Sequence, residues 1–278
     1  MSSGSGNILG DYLRARRAQV DPTDVGLPST GVRRTPGLRR EEVALLAGIS
    51  ADYYLRLEQG RDRNPSPQVL EALARVFGLD TTATAYLLSL PAARPGGRRQ
   101  PRVRREQVPI GIRQLLDVIG VPAFVESRTF DVLAANPLAA ALTPGIAVGS
   151  NRLRSIFLDP AEQACFPDWE RIVVGMVAAF RTSLGTRVDD PVVAQLVGEL
   201  SLGSERFRQL WARHDVQPFS GGSVRIQHPD VGELELRREK LTIGNTDGQV
   251  LAVYHAEPAS PTAEALALLG SLVATNSP

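Results

Sequence analysis

Asp52, Tyr53 and Arg56 stand within one turn and a half of each other in the string Ser50-Ala51-Asp52-Tyr53-Tyr54-Leu55-Arg56. A guanidinium can donate paired hydrogen bonds to guanine O6 and N7, a carboxylate can accept from the cytosine amino group, and a tyrosine offers an apolar ring with a hydroxyl. Such chemistry needs the side chains near the N-terminus of a helix that fits a major groove. Ser50 is the residue type that caps a helix and can also reach a phosphate, and Ala51 follows it at the base-edge end. Arg33, Arg34, Arg39 and Arg40 precede this stretch as candidate phosphate contacts, Arg40 with access to an outer base. Each has a plainer role as well. Asp52 can complement the helix dipole beside Ser50, Tyr53 can pack inward, and exposed arginines are commonly just solvated.

The elements that must position these residues are legible around them. In Arg40-Glu41-Glu42-Val43-Ala44-Leu45-Leu46-Ala47-Gly48-Ile49, Ala44 is small where two helices cross and Gly48 supplies a tight turn. Ile49 and Tyr54 are apolar where the second helix packs back, so residues 39–60 predict a helix-turn-helix. Helical spacing of apolar residues predicts five helices, near 7–19, 39–47, 51–59, 67–77 and 82–90. Ser50 and Ser66 stand at N-cap positions, Pro67 at a first helical position, and Gly48, Gly60 and Gly78 at helix ends.

Charge divides the chain. Residues 1–107 carry 17 arginines and 11 acids, a surplus of +6, whereas residues 108–278 carry 14 basic and 19 acidic residues, a deficit of −5. Only the first half is suited to a polyanion. Residues 92–107, rich in Pro, Gly and Arg, predict a linker. Beyond it, strands are expected at 121–126 and 130–134, then helices at 137–142, 152–158, 161–184, 189–200 and 204–214. Strands at 223–227, 232–237 and 250–255 and a closing helix at 262–273 complete the pattern. The predicted fold is an all-α domain over 7–91, about five helices, followed by an α+β domain over 108–274 with one antiparallel sheet covered on one face by helices.

Several functions have no support. Cys165 is the single cysteine, set between Ala164 and Phe166 as a buried thiol. His214, His228 and His255 have no second ligand at metal spacing, the two former suiting structural hydrogen bonds. No nucleophile elbow, Cys-His pair or phosphate loop appears, and Asp189-Asp190 before Pro191 reads as a helix cap, so neither an enzyme nor a cofactor is expected. No apolar run approaches a membrane span and the start lacks a signal-peptide pattern, which predicts a cytoplasmic protein without a membrane partner. In the second domain Trp169, Val173, Met176, Val177 and Phe180 recur at helical spacing and could wall a pocket, or could be ordinary core. Arg181 beside them suits a ligand carboxylate or a structural acid, and Trp211 is one turn from His214.

Residues 8–90 resemble the phage-repressor-type helix-turn-helix domain (the XRE or Cro/C1 type). The strings Leu38-Arg39-Arg40-Glu41-Glu42-Val43-Ala44 and Tyr53-Tyr54-Leu55-Arg56-Leu57-Glu58-Gln59-Gly60-Arg61 resemble the MmyB-like regulators of bacteria. Asp21 to Pro36 matches that subgroup's insertion between its first two helices, while Leu55 stands where other members often carry threonine. Residues 207–216, 228–234 and 245–254 carry strings typical of the subgroup's PAS-like second half. The resemblance implies a ligand-binding domain with an apolar pocket, for which fatty-acid-like ligands are suited. The resulting expectation is a transcription regulator that binds double-stranded DNA, as a homodimer on a palindromic operator, and senses a small apolar or carboxylated ligand. The alternative makes the second domain a ligand-free dimerisation or protein-interaction module.

Overall fold

The computed structural model describes residues 7–28, 36–92, 106–185, 187–218 and 221–276. Arg33 and Arg34, and residues 93–105 of the expected linker, lie outside the described residues.

The first unit is helical: α1 (Ile8–Gln19), α2 (Arg40–Ala47), α3 (Ala51–Glu58), α4 (Pro67–Val76) and α5 (Thr81–Ser89). All five fall within a residue or two of their expected positions, because cap and period agree at each. Ser50 accepts from the Tyr53 N–H and Ser66 from the Val69 N–H, satisfying donors that a helix start leaves open. Gly48 takes φ +69° between α2 and α3, and the Ile49 N–H closes the turn on the Ala44 carbonyl at 3.0 Å. Gly10 serves a close approach instead: a Cβ there would meet the Glu58 carbonyl oxygen at 2.3 Å. Without that side chain α1 can lie against the end of α3, and Asn7 Nδ2 donates to the same carbonyl at 2.8 Å. Tyr12, Leu13, Leu38, Val43, Tyr54, Leu57, Leu73 and Leu87 fill the core. Truncating one of them, such as Leu57 to alanine, should cost about 2–5 kcal/mol.

The second unit contains α6 (Ile110–Val118), β1 (Ala123–Glu126), β2 (Val132–Ala135), α7 (Pro137–Leu142), α8 (Arg152–Leu158), α9 (Pro160–Ala164), α10 (Trp169–Leu184), α11 (Pro191–Gly203), α12 (Glu205–Ala212), β3 (Gly222–His228), β4 (Gly232–Thr242), β5 (Val250–His255) and α13 (Pro261–Asn276). The strands form one sheet in the order β2-β1-β5-β4-β3, with every neighbouring pair antiparallel. The main core lies between one face of this sheet and helices that include α7, α8, α10 and α11.

Three features depart from expectation. Residues 161–184 are not one helix: the chain breaks over 165–168, where Pro167 cannot continue the ladder of α9. Helix α6 was not anticipated, and it covers part of the second sheet face, where Leu116 packs with Val108, Ala123, Val125, Ile243 and Leu251. The sheet is therefore clad on both sides. Strand β4 extends five residues beyond the expected Arg237, to Thr242. Its side chains alternate with period two, so Leu234, Leu236, Arg238 and Lys240 share the core-side face while Glu233, Glu235, Arg237 and Glu239 share the other. Two cations thus continue a register opened by two leucines.

Candidate DNA interface and ligand cavity

Helix α3 presents Ala51 and Asp52 to solvent, with Tyr53 half-buried against the core and Arg56 half-exposed. Asp52 and Arg56 form an i,i+4 ion pair, and the Arg56 guanidinium lies 5.6 Å from the centroid of the Tyr53 ring. The three base-reading candidates are therefore one mutually oriented group at the helix surface. Ser50 Oγ is 3.1 Å from the Tyr53 N–H it caps. Arg39 has an exposed side chain, and its backbone N–H donates to Glu42 Oε2 at 2.7 Å.

Arg40 has a structural partner. Its Nε lies 2.7 Å from Glu58 Oε2, while Arg17 Nε lies 2.6 Å from Glu58 Oε1. The Glu58 side chain is 1% exposed, beside the Tyr54 ring. Burial alone would raise this carboxyl, yet the hydrogen bonds from Arg17 and Arg40 prevail and hold it below its ordinary value of 4.5. Arg61 and Arg63, exposed in the loop after α3, extend the basic surface. Their closeness in Gly60-Arg61-Asp62-Arg63 was a usable signal that the candidate residues did not include.

A cavity of about 750 Å³ opens between α10 and the sheet. Phe130, Ile172, Val174, Met176, Ala179 and Val224 give it apolar walls, and Arg171, Arg238 and Lys240 bring cations to it. A small adjoining pocket shares Phe130, Met176, Arg238 and Lys240 with it and is also lined by Phe124, Glu126, Arg152 and Tyr254. The charges there can be matched one by one. Arg152 Nη1 meets Glu162 Oε1 at 2.8 Å, and Glu162 also accepts from Thr143 Oγ1 and the Gly145 N–H. Lys240 Nζ meets Glu126 Oε1 at 2.6 Å. Arg238 is left over: its Nε is buried without a hydrogen-bond partner, and among the described residues its guanidinium has no ion pair. Burial, with help from the charges of Arg238 and Arg152, lowers Lys240 to about 8 against the pull of Glu126.

Residues 108–269 match the family of the MmyB-like transcription regulator ligand binding domain. The chain belongs to this family. Residues 8–87 match a helix-turn-helix domain, and no curated protein matches the chain. It is therefore a DNA-binding transcription regulator with a ligand-binding domain, and the two sites described above lie one in each matched region. Among the described residues no helix is long and apolar enough to cross a membrane, and no cluster of three His, Cys, Asp or Glu is placed to hold a metal.

In the ligand-binding domain the apolar stripe of α10 divides. Met176 lines the cavity, whereas Val173, Val177 and Phe180 are buried in the core and Trp169 donates its indole N–H to the Ile156 carbonyl at 2.9 Å. Trp211 stacks on Phe207, and the buried Arg181 lies 3.8 Å over the Trp211 ring while donating to the Trp211 carbonyl at 2.6 Å. Arg181 is thus turned away from the cavity and toward the helix-turn-helix, where its charge acts on the Tyr86 hydroxyl of α5. His228 has the structural hydrogen bonds expected of it: Nε2 faces the Ala141 carbonyl at 2.9 Å while Nδ1 accepts from the Asp230 N–H. Asp190 caps α11 through the Val192 N–H, and burial pushes the Cys165 thiol up.

The two domains meet where α12 ends. Gln19 Nε2 donates to the Arg213 carbonyl at 2.6 Å, Arg16 Nη2 to the His214 carbonyl at 2.8 Å, and Arg16 Nη1 to Asp215 Oδ1 at 3.0 Å. Val216, 5% exposed, is buried in the core of the helix-turn-helix domain rather than its own. His214 takes φ +55° to make this turn, and burial, reinforced by Arg181, Arg16 and Arg14, lowers its imidazole to about 3, so it is neutral here.

Proposed function

We propose that the protein is a sequence-specific regulator that lays α3 in the major groove of an operator and senses a small molecule with an apolar body and one anionic group. The observation that carries the ligand reading is Arg238, a guanidinium with no ion pair among the described residues, set in a cavity whose other inner cations already have partners. Its Nε is buried without a hydrogen-bond partner, and an incoming carboxylate would supply one in a charge-assisted bond. Apolar walls beside Met176 then select the rest of the molecule. This favours sensing over a ligand-free interaction module, for which an unpaired inner cation has no use.

On the DNA, Arg56 reads a guanine once it leaves Asp52, Asp52 and Tyr53 address neighbouring bases, and Ser50, Arg39 and Arg40 approach the backbone. A homodimer on a palindrome supplies the length of sequence that one helix lacks, with half-site centres about 34 Å apart or a multiple of that. Selection from random duplexes should return such an inverted repeat, and tight binding to a single unrepeated half-site would overturn the dimer. Organic extraction and mass spectrometry of the purified protein should recover a reproducible acidic amphiphile. An empty protein that also fails to bind added dodecanoate would transfer support to the interaction-module reading.

A further inference from the structure

We infer that residues 213–218 form a coupling strap, through which occupancy of the cavity sets how firmly the helix-turn-helix domain is held against the ligand-binding domain. The inference rests on the cavity being a ligand site. Along this strap Arg213, His214 and Asp215 are gripped by α1, and Val216 is inserted in the DNA-binding core. The next two residues, Gln217 and Pro218, line the cavity. The Gln217 N–H donates to Thr182 Oγ1 on α10 at 3.1 Å, so the strap is also tied to the helix that walls the cavity. A molecule pressing on Gln217 and Pro218 therefore acts one peptide away from the apolar anchor of the other domain.

The junction is built to be remade. Of the nine buried side-chain polar atoms that make no well-formed hydrogen bond among the described residues, five belong to Tyr12, Arg16, Tyr86, Arg181 and His214 at this contact, where Arg16 and Arg181 bond through their other nitrogens and lie beside the Tyr12 and Tyr86 hydroxyls. A permanently closed contact would satisfy such groups or replace them with apolar ones, and a partly satisfied polar junction has alternatives close in free energy. Nor does the strap block the DNA face. Its hydrogen bonds go to α1, while Ala51 and Asp52 of α3 stay exposed, so the output is the placement of the DNA-binding domain rather than its occlusion. Such a switch requires that ligand contact the two placements differently, and Gln217 and Pro218 are the strap residues where it would do so.

The test uses hydrogen exchange of the full chain, with dodecanoate as the probe. A Cβ built on Gly175, in α10, lies 3.5 Å from Gln217 Oε1, so Gly175→Leu should push the strap as a ligand would. The expected result is exchange in α1 and α5 about tenfold faster, with α11 and α13 unchanged. Thr182→Val, which removes the tie to Gln217, should do the same and decides the matter if Gly175→Leu does not fold. By linkage, Asp215→Ala, which loosens the grip of α1 without itself lining the cavity, should raise dodecanoate affinity by no more than the factor by which dodecanoate speeds α1 exchange. Unaltered α1 and α5 exchange in the folded variant overturns the strap. If dodecanoate does not bind, the ligand reading falls, while the two substitutions still decide the coupling.

Discussion

Two clusters of charge, one in each domain, are finished differently. In the helix-turn-helix Glu58 has one oxygen for Arg17 and one for Arg40, so each carboxylate oxygen is engaged and the carboxylate is buried beside Tyr54. Behind α10 Arg152 and Lys240 have their acids, but Arg238 has none and faces open volume. The saturated group specifies a fold. The unsaturated one leaves a positive charge uncompensated beside a cavity, a distinction that burial alone does not draw.

The largest test breaks the Glu58 cluster. Glu58→Ala leaves Arg17 without its counter-charge, held only by the Leu38 carbonyl, and should destabilise the helix-turn-helix domain by about 3–5 kcal/mol, read from denaturant unfolding. Arg238→Met should do the opposite kind of thing. It removes an unpaired cation, so the unfolding midpoint should hold or rise, while dodecanoate affinity should fall by ~1.5–3 kcal/mol in calorimetry. A midpoint that drops as far as in Glu58→Ala would mean that Arg238 is structural too.

The two groups should also titrate at opposite ends of the scale. Glu58 is held below its ordinary 4.5, so its stabilisation is complete above that value and is lost as pH falls through its lower folded value. Glu58→Gln should flatten the acid limb of the unfolding profile. Lys240 sits at about 8 instead of 10.5, so between these values the unfolded chain holds more protons and folded stability rises with pH. Over the same window the cavity loses positive charge, and dodecanoate binding should weaken. Smallest is the effect at the outer DNA surface. Arg39→Ala should weaken binding to all duplexes alike and reduce the slope of log affinity against log salt by about 0.9, whereas Arg56→Ala should relax preference at one base pair.

The first domain was legible because its signals are local and redundant: Ser50, Gly48 and the Val43-Ala44-Ile49-Tyr54 spacing all point to one turn. In the second, the apolar stripe from Trp169 to Phe180 does mark a helix, but periodicity cannot say whether a face meets core or cavity, and only Met176 meets the cavity. Helix α6 lacks the end signals that mark the others: Pro109 stands at its start with no side-chain cap and Ile119 at its end in place of a glycine. The cation of the cavity was readable in Leu234-x-Leu236-x-Arg238-x-Lys240, as charge in a core register, once the strand is allowed to run past Arg237. The junction had no such signal, since Arg16 and Asp215 are 199 residues apart and neither belongs to a periodic pattern that names the other.

The close approach at Gly10 has a mechanical consequence. One end of α1 is pressed on the Glu58 carbonyl through Gly10 and Asn7, and the other end is held by residues 213–215 through Arg16 and Gln19. A twelve-residue helix is a stiff rod about 18 Å long, so it works as a lever with both ends loaded. A shift at the end held by the ligand-binding domain should reappear as a tilt at the tail of α3, the helix that carries Asp52 and Arg56.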